Sequence, residues 1–315
     1  MLENLIFSLN ATVPVFLLMI VGLVLNKIGW MDDTFASKLN TFVFKVPLPL
    51  LVFEDLAVVD FKEAWNFRFV AFCFVITLLS ISLSAAVSCL WKDKSIQGEF
   101  IQAAYRSSAA ILGIAFIQNI YGSAGMGPMM IIGSVPLYNI MAVTVLSFFK
   151  PGQGGIDKKV LKRTLIGIAK NPIIIGIVFG LIWSYFRLPF GGIFEKTVGN
   201  IAKTATPLGL MAMGASFDIS KAFGKLKPAV TAAFMKLCLF VMLFLPLAVR
   251  MGFRNQELVA IMIMLGSATT VSCYVMARNM DHEGVLTSSV VMLTTMFSAF
   301  TITLWLYILR SLGLI

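Results

Sequence analysis

Tyr105-Arg-Ser-Ser-Ala-Ala-Ile-Leu-Gly-Ile-Ala115 lies inside an apolar run long enough to cross a membrane. It carries a full charge (Arg106), two hydroxyls (Ser107 and Ser108) and a helix-weakening Gly113. A charge at the centre of a bilayer costs roughly 2.5–3.5 kcal/mol on insertion scales. Hydroxyls and a glycine beside it predict backbone that is not plain helix. Such backbone survives at membrane depth only where protein or a water-filled cavity covers it. The stretch is therefore the first candidate for a functional site.

The rest of the chain fits a membrane setting. Its 315 residues are 59% hydrophobic and 13% charged, with a mean hydropathy of +0.92, against about 25% charged residues in soluble domains. No signal peptide is read at Met1-Leu-Glu-Asn, which lacks a basic lead-in. Ten spans are predicted, over 5–25, 36–57, 67–91, 98–121, 128–149, 163–186, 195–217, 228–249, 256–279 and 285–309, each near the 20 apolar residues that a crossing needs. The longest connection, Lys150 to Lys159, is a Gly-rich basic linker at mid-chain. Net charge is +10. With ten spans the termini share a side. Fourteen Lys and Arg fall on the opposite side and seven on theirs, so the positive-inside rule places both termini outside and the linker in the cytoplasm. The basic residues serve topology, and no nucleic-acid partner is expected. Glu54, Asp55, Asp60 and Glu63 read as one external acidic loop, and His282 as solvated. Cys73, Cys89, Cys238 and Cys273 lack metal-site spacing and are expected as free thiols.

A shift of 158 residues aligns Pro14 with Pro172, Gly22 with Gly180, Lys45 with Lys203, and Pro49-Leu50 with Pro207-Leu208. Two homologous halves, 1–157 and 158–315, follow. Five spans each is an odd number, so the second half enters the membrane inverted, as in many secondary transporters. The same shift carries Leu112-Gly113 onto Thr270-Val271, inside Gly266-Ser-Ala-Thr-Thr-Val-Ser-Cys-Tyr274. Paired interruptions in two halves point to a midplane binding site. Crossing half-helices there would bring positive N-terminal ends together, suited to an anion.

Three motifs then carry a family resemblance. They are Asn171-Pro-Ile-Ile-Ile-Gly-Ile-Val-Phe-Gly-Leu181, Thr206-Pro-Leu-Gly-Leu-Met-Ala-Met-Gly-Ala-Ser-Phe217, and the pair Pro49-Leu-Leu-Val-Phe53 and Tyr274-Val-Met-Ala-Arg278. Over its whole length the chain resembles the auxin efflux carrier family, which includes plant auxin carriers and bacterial permeases for malonate or malate. The short linker is similar to that of bacterial members. The resemblance implies an all-α membrane fold with scaffold helices 1, 2, 6 and 7. Transport helices 3–5 and 8–10 would move against them in an elevator-like shift, with helices 4 and 9 broken and crossed. A homodimer through the scaffold helices is expected. At the crossing the sequence departs from the family: Ser108 and Ser272 stand where Asn is usual, and Ala115 and Ala268 where Pro is usual. Without those prolines, less sharp breaks are expected.

The candidate substrate-binding residues are Arg106, Ser107, Ser108, Leu112, Gly113, Ala268, Thr269, Thr270, Ser272 and Lys203. Arg106 binds an anionic substrate, or caps carbonyls of the broken helix, or snorkels toward the edge near Glu99. Lys45 and Lys203 contact an anion or the carbonyls at helix C-termini. Lys236 in span 8 pairs with backbone or stands as a fixed charge in place of a cation. The hydroxyls of Ser108, Thr269 and Ser272 could ligate sodium. The four span prolines shape helices. No catalytic constellation or ATPase motif is present, so no enzyme and no cofactor is expected, and uphill transport must draw on a gradient of sodium or protons. No mid-membrane carboxylate is seen to carry a proton. The expected function is secondary transport of small organic anions across the inner membrane. The alternatives are a non-transporting receptor on the same fold and, last, a cation exchanger.

Overall fold

The computed structural model describes residues 2–58, 66–109, 113–122, 125–150 and 158–315. Asp60, Glu63, Leu112 and most of the central linker lie outside the described residues. The fold is helical, with no strand among the described residues. The elements are α1 (Leu2–Lys27), α2 (Asp33–Lys45), α3 (Pro47–Ala57), α4 (Phe67–Ser88), α5 (Gln97–Tyr105), α6 (Ile114–Tyr121), α7 (Gly127–Phe148), α8 (Lys158–Ala169) and α9 (Pro172–Tyr185). They continue as α10 (Gly192–Ala202), α11 (Ala205–Ala215), α12 (Ile219–Gly224), α13 (Leu226–Phe234), α14 (Phe240–Arg250), α15 (Asn255–Gly266), α16 (Ser272–Asn279) and α17 (Val285–Ser311). Among the described residues five stretches are long and apolar enough to span a bilayer: Asp33–Ala57, Phe67–Ser88, Gly127–Phe148, Leu226–Arg250 and Val285–Ser311. Val13–Lys27, Pro172–Tyr185 and Asn255–Gly266 are shorter apolar helices.

Local chemistry sets the ends. Asp32, Asn66, Asn171 and Asp218 cap α2, α4, α9 and α12 by accepting hydrogen bonds from the backbone N–H groups of Phe35, Phe69, Ile173 and Lys221. Pro47 and Pro172 open α3 and α9 at positions whose N–H has no helical partner. Of the four span prolines, Pro172 opens a helix, whereas Pro14 lies inside α1. The bounds also recur at the spacing seen in the sequence. α3 and α11 are 158 residues apart at both ends, as are α6 and α16, and α7 and α17 begin 158 apart.

Helices distant in sequence interlock through glycine. Gly22 of α1 lies flat on the Met211 backbone of α11, and Gly214 of α11 lies on the Met19 backbone of α1. Gly180 of α9 faces α3, where an added Cβ would stand 2.9 Å from Leu56 Cβ and 3.0 Å from the Phe53 carbonyl. Gly180 is the residue that the 158-residue shift pairs with Gly22. Small residues allow such close backbone approach, which is how helices associate where lipid offers no hydrophobic driving force. α1, α2, α3, α9, α10 and α11 form one packed group, while α4, α5 and α7 pack together and α13 and α15 pack on α17.

The polar connections sort to two ends. At one end Lys150 pairs with Asp281 at 2.6 Å, and Lys221 with Glu283 at 3.2 Å. At the other, Asn66 donates to Glu257 at 2.8 Å, and the Asn255 N–H to the Leu314 carbonyl at 3.1 Å. His282 corrects the sequence reading: it is buried, with its Nε2 2.9 Å from the Leu146 carbonyl. A loop residue is solvated only if its loop stays outside the packing, and this loop folds back over α7.

Glu99 is buried on α5 and ties two elements together. Its carboxylate accepts from the N–H of Gly284, and from the N–H and hydroxyl of Thr287, each at 2.9 Å. It therefore caps the N-terminus of α17, where the helix dipole favours negative charge. Glu99→Ala would strand those donors inside the protein, at about 1–3 kcal/mol for each unsatisfied group. The variant is expected to unfold at clearly lower temperature in detergent, and Glu99→Gln to lose less because it keeps one acceptor.

Candidate functional site

α5 and α15 both stop inside the membrane-spanning region. α5 ends at Tyr105, and Arg106 turns extended at φ −72°, ψ 134°. α15 ends at Gly266, and Ser267 turns extended at φ −77°, ψ 163°. Helix resumes at Ile114 and at Ser272. The breaks are complete without the prolines, contrary to the expectation that they would be less sharp. The reason is that each stretch supplies partners for the other's freed backbone. The Ser108 N–H donates to the Ala268 carbonyl at 2.9 Å. The Thr269 hydroxyl donates to the Ala103 carbonyl at 2.8 Å, and the Gln102 amide to the Cys273 carbonyl at 2.9 Å. The Thr269 N–H donates to the Thr294 hydroxyl on α17 at 3.0 Å. Two interrupted segments that cross can satisfy one another where lipid cannot.

Between the crossing and the α3/α11 side lies a cavity of about 60 Å³. Leu51, Val52 and Asp55 of α3 and Thr206 of α11 form one wall. Arg106, Ser107 and Ser108, Tyr138 and Asn139 of α7, and Thr270 and Ser272 form the other.

Arg106 is 3% exposed. Its guanidinium donates to Asn139 Oδ1 at 2.7 Å and to Ser272 Oγ at 2.9 Å, and meets the Met276 sulfur at 2.7 Å. Its Nε–H is buried without a hydrogen-bond partner among the described residues. Among the described residues no carboxylate lies within ion-pair distance of it. Among the described residues it caps no carbonyl, and the carboxylate of Glu99 is engaged with α17. What remains is a cation held in a fixed orientation by neutral groups on a cavity wall.

The other predicted residues divide. Ser107, Ser108, Thr270 and Ser272 reach the cavity with Arg106. Thr269 and Ala268 hold the crossing together behind it. Gly113 is buried, and its N–H donates to the Ser108 carbonyl at 3.1 Å. Lys203 stands exposed at the C-terminal end of α10, away from the cavity, as Lys45 does at the end of α2. Cations at helix C-termini face the negative end of the dipole. The hydroxyls proposed for sodium do not converge. Thr269 Oγ1 is turned to the Ala103 carbonyl, and Ser272 Oγ lies against the Arg106 guanidinium.

Sequence reasoning missed three contributors. Asn139 and Tyr138 sit in α7, where an apolar run hides single polar residues. Asp55, assigned to an external loop, is in helix α3 and lines the cavity. The signal for it was spacing: Val52 and Asp55 are three apart and so share a helix face. No group of three or more His, Cys, Asp or Glu is placed to hold a metal among the described residues. The four cysteines are free.

Comparison with known proteins identifies the family of the chain. The family profile described as "Membrane transport protein" matches residues 7–306. An "Uncharacterized transporter" of Methanothermobacter thermautotrophicus is 22% identical over 309 residues, covering 96% of this chain and 98% of that protein. A multi-pass helical membrane protein with interrupted helices around a charged cavity, matched over nearly its whole length, belongs to the membrane transport protein family, the auxin efflux carrier family of transporters.

Proposed function

We propose that the protein is a secondary transporter of small organic anions, carboxylates or auxin-like acids. In this reading ten spans form two inverted halves in the inner membrane, with both termini outside. The α1–α3 and α8–α11 group would stand still while the rest moves past it as an elevator. The observation that carries the reading is Arg106: a buried guanidinium on a cavity wall, oriented by neutral partners, with one N–H unused. A buried charge is normally paired, and an anionic substrate would complete the pairing. The cavity volume supports alternating access. About 60 Å³ is well below the ~300–1,000 Å³ of ligand pockets, so the two walls must separate to admit substrate. The recurrence of helix bounds after 158 residues and the glycine contacts that pair the halves support the repeat. Asp55 on the same wall system supplies a carboxylate for proton coupling that the sequence reading lacked.

The test is a thermal-shift screen of dicarboxylates and indole acids on purified protein, followed by counterflow of the hits in proteoliposomes, with and without a pH gradient. A ligand-induced shift with counterflow supports the proposal. Binding that produces no counterflow would favour a receptor instead, and absence of both for every acid, in folded protein, would overturn the anion reading.

A further inference from the structure

Lys236 is fully buried. It lies in a π-helical turn, Met235–Leu239, between α13 and α14, a distortion that is frequent at functional sites. Among the described residues its ammonium has four oxygens around it and no carboxylate. They are the Leu265 carbonyl at 2.7 Å, the Met264 carbonyl at 3.2 Å, the Tyr105 carbonyl at 3.4 Å, and Ser107 Oγ. Ser107 in turn donates to the Met264 carbonyl, which also accepts from Tyr138 at 3.3 Å.

The source of those oxygens is the informative point. Tyr105 is the last residue of α5, and Met264 and Leu265 are in the last turn of α15. Carbonyls in the last turn of a helix have no intrahelical partner and carry its partial negative charge. Two helix C-termini, one from each half, therefore converge with a hydroxyl on a single point. Carbonyls of unwound backbone and half-helix C-termini are the groups that coordinate monovalent cations in transporters with broken helices. At that point stands a cation tethered to the chain. Leu78, the residue that the 158-residue shift pairs with Lys236, is apolar, so only one half supplies the charge.

We propose that the Lys236 ammonium permanently occupies a monovalent-cation site at the crossing. The crossing then holds a tethered ammonium where a free cation would otherwise sit, and the transporter needs no sodium there. Emptying the site by substitution would convert a tethered cation into a requirement for a free one. This inference rests on the crossing geometry and is independent of the substrate.

The experiment uses purified full-length protein. Binding of 22Na+ is measured by scintillation proximity. Thermal unfolding is followed at equal ionic strength in sodium, lithium, methylammonium or choline chloride. Wild-type protein is expected to bind no 22Na+ saturably and to unfold at the same temperature in all four salts. Lys236→Ala, and Lys236→Ser, which adds back a hydroxyl, are expected to unfold at lower temperature in choline. They should regain at least half the loss in sodium or methylammonium and bind 22Na+ saturably. Saturable 22Na+ binding by the wild type would overturn the proposal, as would folded variants indifferent to every cation. If neither variant can be isolated folded, the wild-type measurement alone decides.

Discussion

Replacing Arg106 by alanine is expected to lower uptake of the identified carboxylate by about 100-fold or more, while Arg250→Ala stays near wild type. Truncating one member of a buried charge pair costs about 2–5 kcal/mol, and each 1.4 kcal/mol is a factor of ten. Arg250 ends α14 in an exposed position, where a charge contributes little. Arg106→Lys separates charge from geometry. A lysine keeps the positive charge but lacks the planar fork that engages Asn139 and Ser272 together. It should therefore retain weak binding with a raised half-saturation concentration. Thermal unfolding of each variant distinguishes loss of binding from loss of fold. Equal, near-wild-type uptake by Arg106→Ala and Arg250→Ala would remove Arg106 from the site.

The largest effect on stability is expected at Gly214. A Cβ there would land inside the Met19 backbone of α1, and one at Gly22 inside the Met211 backbone of α11. A clash with backbone cannot be relieved by a rotamer change, so the helices must move apart and lose the contacts around both glycines. Overpacking typically costs 1–3 kcal/mol, and the backbone partner places Gly214→Ala at or above ~3 kcal/mol. Gly167 in α8 has open space where its Cβ would go. Alanine there should be neutral or stabilise by up to ~1 kcal/mol through helix propensity. Unfolding temperatures of the two variants, side by side in one detergent, check the pair. A Gly214→Ala protein as stable as the wild type would mean that α1 and α11 do not pack as described.

Much of this was legible in the sequence because the bilayer imposes a coarse grammar. Apolar runs mark helices, and a charge with hydroxyls inside such a run marks a break. Arg106, Ser107 and Ser108 are legible on those grounds, Thr270 and Ser272 through the 158-residue shift, and all five share one cavity wall. What was not legible depended on contacts between distant segments. Asn139 is one polar residue in a long apolar helix, and only the fold brings it to Arg106, 33 residues away in sequence. Asp55 was misplaced because acidic residues near a span end look like a loop, whereas α3 runs on to Ala57. His282 was misread because a short loop was assumed to face water. The sharpness of the breaks was underestimated because proline is only one way to free a backbone carbonyl. Gln102 and Thr269 stabilise the break by bonding across it.

The glycine notch between α1 and α11 also constrains how the chain is made. Gly22 and its partner Met211 are separated by about 190 residues, which at ~5–20 residues per second of synthesis takes roughly 10–40 s. Throughout that interval the nascent α1 presents a bare strip of backbone with nothing to fill it. The helix group that is expected to stay still is complete once α11 has emerged, before α13 to α17 of the other group are made. A chain that stops before α11 leaves the Gly22 face of α1 without the Met211 backbone that covers it in the finished protein.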